Sequence, residues 1–368
     1  MKTTSAPPQT SPLTASRTAA PNVRSQPRIG FLGVGWIGRN RLQAIAESAV
    51  AEISCIADAS SSACDAAREC APAAAIAASL EEALDSGIDG LVIATPSAQH
   101  ADQARIALER GVAVFCQKPL ARNAQETRAV IDAARLANRL LHVDLSYRFV
   151  AGAVAIRELI QNGHLGDIYA ADLLFHNSYG PDKAWYYDPI QSGGGCVMDL
   201  GIHLVDLALW TLDFPAVSAV SSALFAGGKR LPFCPIDDFR AGLGSIEDFA
   251  TAQMQLSDGG VIRMACSWNL PVGHDAVIEA CFHGTRGGAC LRNVNGSFYD
   301  FEAVRLDRRT TQIIAQPPDA WSGRAAVNWA QRLARDGQFD PQICRLEQVA
   351  EILDAIYTGG LAAGSALA

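Results

Sequence analysis

The chain lacks any uninterrupted apolar run near the roughly 18 residues that suggest a membrane span, although 49% of its 368 residues are hydrophobic. No transmembrane helix is expected. Its ten cysteines contain no C-x-x-C and no paired zinc spacing, so neither a redox motif nor a metal site is expected. Several lie inside apolar runs, as in Ser54-Cys55-Ile56 and Val114-Phe115-Cys116, and read as small buried hydrophobes in a reducing cytoplasm, not as disulfides. Acids are missing altogether from the first 28 residues, which carry Lys2, Arg17, Arg24 and Arg28. With those four cations set aside, the formal net charge of −8 leaves the body of the chain at −12. An acidic body repels phosphate backbones and anionic lipid heads, so nucleic acid and membrane surfaces are not expected partners. No tandem repeat is present, which argues against a solenoid or propeller.

Residues 1–27 are rich in Ser, Thr, Pro and Ala and have no apolar core of a secretory signal, so a disordered tail is expected. The same acid-free composition also resembles an organelle transit peptide. The remaining length suits two domains. Between Arg28 and Arg148 short apolar runs alternate with Ala-rich amphipathic stretches. The strand candidates are Arg28 to Leu32, Glu52 to Ala57, Gly90 to Ala94, Val112 to Cys116 and Leu140 to Leu145, with a weaker one near Ala75 to Ala77. That order predicts an α/β fold, a doubly wound parallel sheet of the Rossmann type over residues 28–148. From residue 149 the runs lengthen: Asp167 to His176, Val217 to Phe225, Phe249 to Leu256, Val261 to Trp268, Ala276 to His283 and Ser297 to Leu306. Ser257-Asp258-Gly259-Gly260 marks a hairpin between two of them. Residues 149–368 are therefore expected to form an α+β domain with an open, mostly antiparallel sheet, closed by a helix from Leu346 to Tyr357.

Gly33-Val34-Gly35-Trp36-Ile37-Gly38 is a G-x-G-x-x-G that follows a strand and opens a helix. Its glycines serve a tight turn, close approach to a pyrophosphate and close helix packing, and the helix N-terminus attracts the anion. Asp58 ends the second strand 20 residues after Gly38, where an acid accepts hydrogen bonds from ribose hydroxyls and repels a 2′-phosphate. No arginine follows in Ala59-Ser60-Ser61-Ser62, so NAD is expected in preference to NADP.

Two further constellations carry chemistry. Gln117-Lys118-Pro119 follows an apolar strand at the carboxyl edge, where open α/β sheets bind ligands, and a lysine there can reach both cofactor ribose and a substrate oxygen. In the run Gly193-Gly194-Gly195-Cys196-Val197-Met198-Asp199-Leu200-Gly201-Ile202-His203, a helix places Asp199 and His203 four residues apart on one face. A carboxylate beside an imidazole suits a general acid/base, and Asp206, three residues beyond His203, can take the same part.

Taken together these segments resemble the glucose-fructose oxidoreductase, inositol dehydrogenase and rhizopine catabolism family (Gfo/Idh/MocA). The resemblance runs through the glycine loop, Ala94-Thr95-Pro96-Ser97 with His100, Phe115-Cys116-Gln117-Lys118-Pro119-Leu120, Gly163-His164-Leu165-Gly166, and Ser192-Gly193-Gly194-Gly195 through Asp199 and His203 to Asp206. It implies NAD along Gly33, Gly35, Trp36, Ile37, Gly38, Asp58, Thr95, Pro96, His100, Gln117 and Lys118. It also implies Lys118 as the active-site lysine, His203 as acid/base and Asp199 as the acid that pairs with it. One residue departs from the pattern: the acid that usually precedes the lysine is Gln117 here.

The resemblance implies hydride transfer between nicotinamide and a carbinol carbon of a sugar, inositol or related polyol, in a homodimer or homotetramer. Either Lys118 or His203 can be the base, and for His203 a pH limb near neutrality is expected. Tyr147, Arg148, Lys183 and Trp185 are candidate substrate contacts, beside Asp199 and His203; Arg148 also suits a carboxylate on an acidic sugar or hydroxy acid. Two alternatives share the fold: a glycosidase that uses transient redox chemistry and recycles NAD, and a non-catalytic NAD-responsive regulator. Retention of Lys118, Asp199 and His203 argues against the regulator.

Overall fold

The computed structural model describes Met1 and residues 26–360, so the expected tail lies, but for its ends, outside the described residues. Six parallel strands form the first sheet: β1 (Arg28–Leu32), β2 (Glu52–Ala57), β3 (Ala75–Ile76), β4 (Gly90–Ile93), β5 (Ala113–Cys116) and β6 (Leu141–Val143). Their order is β3-β2-β1-β4-β5-β6. β4 and β5 are buried along their whole length, as expected where helices cover both faces of a parallel sheet. The chain reverses its direction of winding between β1 and β4. That gap is where the loops following these two strands separate and leave a crevice.

The second sheet has nine strands: β7 (Ile168–Asn177), β8 (Val217–Ala226), β9 (Lys229–Arg230), β10 (Phe249–Leu256), β11 (Val261–Ser267), β12 (Ala276–Gly284), β13 (Gly287–Asn293), β14 (Phe301–Asp307) and β15 (Thr310–Ala315). They lie in the order β15-β14-β13-β12-β7-β11-β10-β8-β9, antiparallel except for the β7/β11 pair. β10 shows why the sheet has one wet face. Ala250, Ala252, Met254 and Leu256 are buried, whereas Thr251, Gln253 and Gln255 are exposed, the alternation of a strand packed on one side only. The inner face packs against the helices Ile202–Thr211 and Arg345–Thr358. The stretch Pro189–Thr211 is long and apolar enough to cross a membrane by composition, but 94% of its apolar 18-residue window is buried inside the fold.

Three features differ from the sequence reading. β13 and β15 were not expected as strands; they extend the sheet beyond β12. The helix Arg324–Arg335 does not stay with the second sheet: Ala325, Ala326, Trp329 and Ala330 join the core of the first, where Trp329 lies 5.7 Å from the Phe115 ring. The chain thus returns to strap the two halves together. Truncating so large a buried ring typically costs about 3–5 kcal/mol. Third, Cys281 and Cys290 form a disulfide, correcting the expectation of ten free thiols. They are direct partners across β12 and β13, a register that nine residues of spacing do not reveal. Cys55, Cys64, Cys116, Cys196 and Cys266 are buried free thiols, as expected.

Candidate active site

One cavity of about 710 Å³ opens between the two sheets, and its first wall is built from backbone. Gly33 leaves β1 with φ +86°, and a Cβ there would meet the Ala94 carbonyl oxygen at 2.5 Å, so only glycine allows the two loops to touch. A Cβ on Gly35 would meet nothing within 4 Å. That open side lies at the start of the helix Trp36–Ser48, which has no side-chain cap. Room and unpaired N–H groups at a helix start are what a pyrophosphate requires, so the loop fits a dinucleotide. Asp58 borders it, its carboxylate accepting from Val34 N at 2.7 Å and Ser60 N at 2.8 Å.

Trp36, Ile37, Thr95, Pro96, His100, Gln117 and Lys118 all line the cavity. His100 is buried, and its ring nitrogens lie 2.7 Å from the carbonyls of Pro119 and Thr95. It therefore ties together the loops after β4 and β5, and burial pushes its pKa below the ordinary value.

On the opposite wall the local helix geometry decides what meets what. The Gly195 turn runs against residue 247 so closely that a Cβ would lie 2.0 Å from the Glu247 carbonyl oxygen. The buried Glu247 carboxylate accepts from Gly195 N, Val197 N and Tyr357 Oη, fixing the turn to the C-terminal helix. Burial pushes that carboxyl up to about 7. Val197–Gly201 then forms a π-helical turn before the α-helix resumes. The wider turn removes the i, i+4 relation on which the expected Asp199–His203 pair rested. Asp199 instead receives Lys118 Nζ at 2.7 Å on Oδ1 and Trp268 Nε1 at 3.1 Å on Oδ2, while the same ammonium donates to the Asp199 carbonyl at 2.6 Å.

His203 lines the same cavity, half-buried, its ring 4.9 Å from that of Tyr147. Among the described residues its Nδ1 has no hydrogen-bond partner. Burial, with the positive charges of Lys118 and Arg41, holds its pKa well below the ordinary imidazole value. The cavity therefore presents an ammonium held in place by a carboxylate and a neutral imidazole able to accept a proton.

Of the expected substrate contacts, Tyr147, Lys183 and Trp185 line the cavity. Trp185 stacks on Tyr186 at 3.8 Å, and Lys183 pairs with Asp182 near the mouth. Arg148 is not among the lining residues. It binds the buried Asp206 through Nε and Nη2 of its guanidinium, which also takes Asp206 away from His203. Sequence reasoning missed Arg41, Asp144, Asn177 and Trp268. For Asp144 a signal existed, an acid at the carboxyl end of an apolar strand; Trp268 and Asn177 sit at strand ends with nothing local to mark them.

Comparison with known proteins agrees with this geometry. Residues 27–145 match the oxidoreductase family with NAD-binding Rossmann fold, and residues 153–290 match the GFO/IDH/MocA C-terminal domain. D-glucoside 3-dehydrogenase of Escherichia coli (strain K12) is 29% identical over 205 residues, 55% of this chain and only 58% of that protein. Rhizopine catabolism protein MocA of Rhizobium meliloti is 30% identical over 242 residues, 60% of this chain and 70% of that one. Levoglucosan dehydrogenase, solved in complex with NADH and levoglucosan, shares the fold at a TM-score of 0.75 and 23% identity, covering 92% of this chain and 99% of its own. Matches to both halves of the fold, over residues 27–145 and 153–290, place the chain in the Gfo/Idh/MocA oxidoreductase family.

Proposed function

We propose that this protein oxidises a secondary hydroxyl of a cyclic sugar or cyclitol, with NAD as hydride acceptor. The observation that carries the proposal is the pairing, in one cavity, of an Asp199-held Lys118 ammonium with a neutral His203 imidazole next to a dinucleotide loop. Lys118 donates a hydrogen bond to the reacting oxygen and stabilises negative charge developing there. His203 takes the hydroxyl proton, a role open to it because burial keeps its ring neutral. Asp199 keeps the ammonium pointed into the cavity. Tyr147, whose phenol burial holds protonated, packs on the imidazole.

The rest of the wall supports a ring-shaped substrate. Phe175, Trp185, Tyr186 and Trp321 offer flat faces for the C–H side of a pyranose, and the buried Asn177 Oδ1, without a partner among the described residues, offers an acceptor to a hydroxyl. Withdrawal of Arg148 into its ion pair leaves no support for the clamp that an acidic substrate would use. The names of relatives, D-glucoside 3-dehydrogenase and levoglucosan dehydrogenase, point the same way.

The test is a panel of pyranosides, free sugars, inositols and aldonic acids with NAD, read at the absorbance of the reduced nicotinamide. Stoichiometric reduction with a cyclic polyol is expected. Release of a glycoside's leaving group without net reduction would point instead to the NAD-recycling hydrolase, and reduction with aldonic acids alone would overturn the substrate class.

A further inference from the structure

Position 117, next to the active-site lysine, holds an amide, yet a carboxylate lies against it from another strand. Asp144 follows the end of β6, and its side chain is wholly buried. Its Oδ2 accepts from Gln117 Nε2 at 2.6 Å and from Arg41 Nε at 2.5 Å. Arg41 comes from the helix that begins at the glycine loop, and its Nη1 donates to Asn40 Oδ1. All three side chains line the cavity, and all are buried. Three elements, the dinucleotide helix, the end of β5 and the end of β6, are thus joined through one carboxylate oxygen.

We propose that Asp144 is the positioning acid of this active site, and that with Arg41 it fixes Gln117 and so the direction in which Lys118 leaves the chain. The acid on this side of the lysine stands one strand over, at position 144, and Arg41 is the cation that pairs with it. A buried carboxylate is disfavoured unless paired and hydrogen-bonded, and here Oδ2 has one charged and one neutral donor while Oδ1 has no partner among the described residues. The amide at 117 follows from this. A second carboxylate there would face Asp144 across a hydrogen-bond distance with a single guanidinium between them, and like charges at that range cannot both stay ionised. The other titratable groups near this point are Lys118, next in the chain, the Cys116 thiol, raised by burial, His203 across the cavity, and Tyr299, which faces Arg41.

The proposal rests on the family's oxidoreductase chemistry but is tested without it, by exchanging the acid between the two positions. Wild type, Gln117→Glu, Asp144→Asn and the double variant are melted between pH 5 and pH 8 with no cofactor. Gln117→Glu should match wild type near pH 5, where the two carboxyls share a proton, and fall progressively below it as pH rises and the second charge forms. The double variant restores one carboxylate and one amide, so its pH dependence should return to that of wild type. In parallel, acetic anhydride labelling of Lys118, read by mass spectrometry, reports on the lysine itself. Labelling should be several-fold faster in Gln117→Glu than in wild type and return toward wild type in the double variant. With a substrate from the panel, Gln117→Glu should lose at least about tenfold in kcat with little change in KM, and the double variant should regain most of it.

Should Asp144→Asn not fold, the other three proteins still decide the matter. A Gln117→Glu protein with the melting profile and Lys118 labelling of wild type would overturn the proposal. A double variant that regains stability but not slow labelling would overturn the positioning role. Absence of any substrate for wild type would instead count against the proposed function and leave both cofactor-free readings intact.

Discussion

The two walls of the cavity are made in different ways. The cofactor wall is backbone: the Gly33 turn, the uncapped start of the helix Trp36–Ser48 and the loop at Ala94, with the Asp58 carboxylate accepting from Val34 N at its edge. The substrate wall is side chain. Lys118, Asp199, Trp268 and His203 come from three separate segments, the ends of β5 and β11 and the helix that Val197–Gly201 opens, and their relations depend on a π-turn and on strand ends far apart in the chain. A backbone wall tolerates exchange of most side chains but no added Cβ at its contact glycine, whereas a side-chain wall fails residue by residue. Binding and chemistry should therefore come apart under mutation.

The largest effect expected is on the substrate wall alone. Lys118→Met removes the positive charge facing the reacting oxygen, and His203→Ala removes the proton acceptor. Each should lower kcat by about two to four orders of magnitude, the range for a lost acid/base or charge stabiliser, with NADH affinity within about tenfold of normal. Fluorescence titration of NADH beside steady-state rates makes the comparison. Loss of NADH binding in step with loss of turnover would show that the two walls are not independent.

Smaller, and confined to the other wall, is Asp58→Ser. Its carboxylate both borders the ribose position and accepts from Val34 N, so its removal should relax the NAD preference by about tenfold or more while leaving kcat with NAD within a few-fold. Equal efficiency with NADP in the unaltered protein would contradict this assignment. Trp185→Ala should do less again. Its ring lies on Tyr186 at the cavity wall, so a few-fold rise in KM for the sugar is expected, with kcat and NADH affinity held.

The same contrast explains what was legible in the sequence. Gly33 is forced by φ and by a 2.5 Å approach, so the residue type itself announces the turn, and Lys118 is marked by its place at the end of an apolar strand. Strand periodicity gave β10 its correct extent and β11 to within one residue at its end, because one face of that sheet is wet. The partner of Asp199 was not legible. The i, i+4 rule assumes an α-helix, and one π-turn between Val197 and Gly201 turns the carboxylate to Lys118 and Trp268. Arg41 and Asp144 are 103 positions apart, and no local pattern links them. The helix Arg324–Arg335 carried an apolar stripe of alanines and Trp329, but periodicity names a buried face without saying which sheet covers it.

The last comparison is of the two proton-handling groups with each other, and it turns on pH. The i, i+4 pairing predicted an imidazole supported in its cationic form and a kinetic limb near neutrality. The structure reverses the sign: burial comes first, then the charges of Lys118 and Arg41, and all three disfavour the proton. His203 is thus already neutral at pH 7, and the acidic limb of the pH–rate profile for oxidation should lie below the ordinary imidazole value of about 6.5. Between pH 7 and pH 8 turnover should be nearly flat, and the limb should vanish in His203→Ala when the residual rate is followed. Stability follows the same sign. His203, His142 (pushed down to about 3 by burial) and His100 are all depressed, so the unfolded chain takes up protons that the folded one refuses. Their contribution is complete above about pH 6.5 and is lost as pH falls from there toward the folded values. Between pH 7 and pH 5 these imidazoles pull the melting temperature down while Glu247, raised to about 7, pulls it the other way, so the check is the difference: the melting temperature of His203→Phe, which keeps a ring in the same space but cannot be protonated, should gain on that of wild type as pH falls. A limb that rises through pH 7.5 or above and survives in His203→Ala would remove the imidazole as base and leave proton transfer to Lys118.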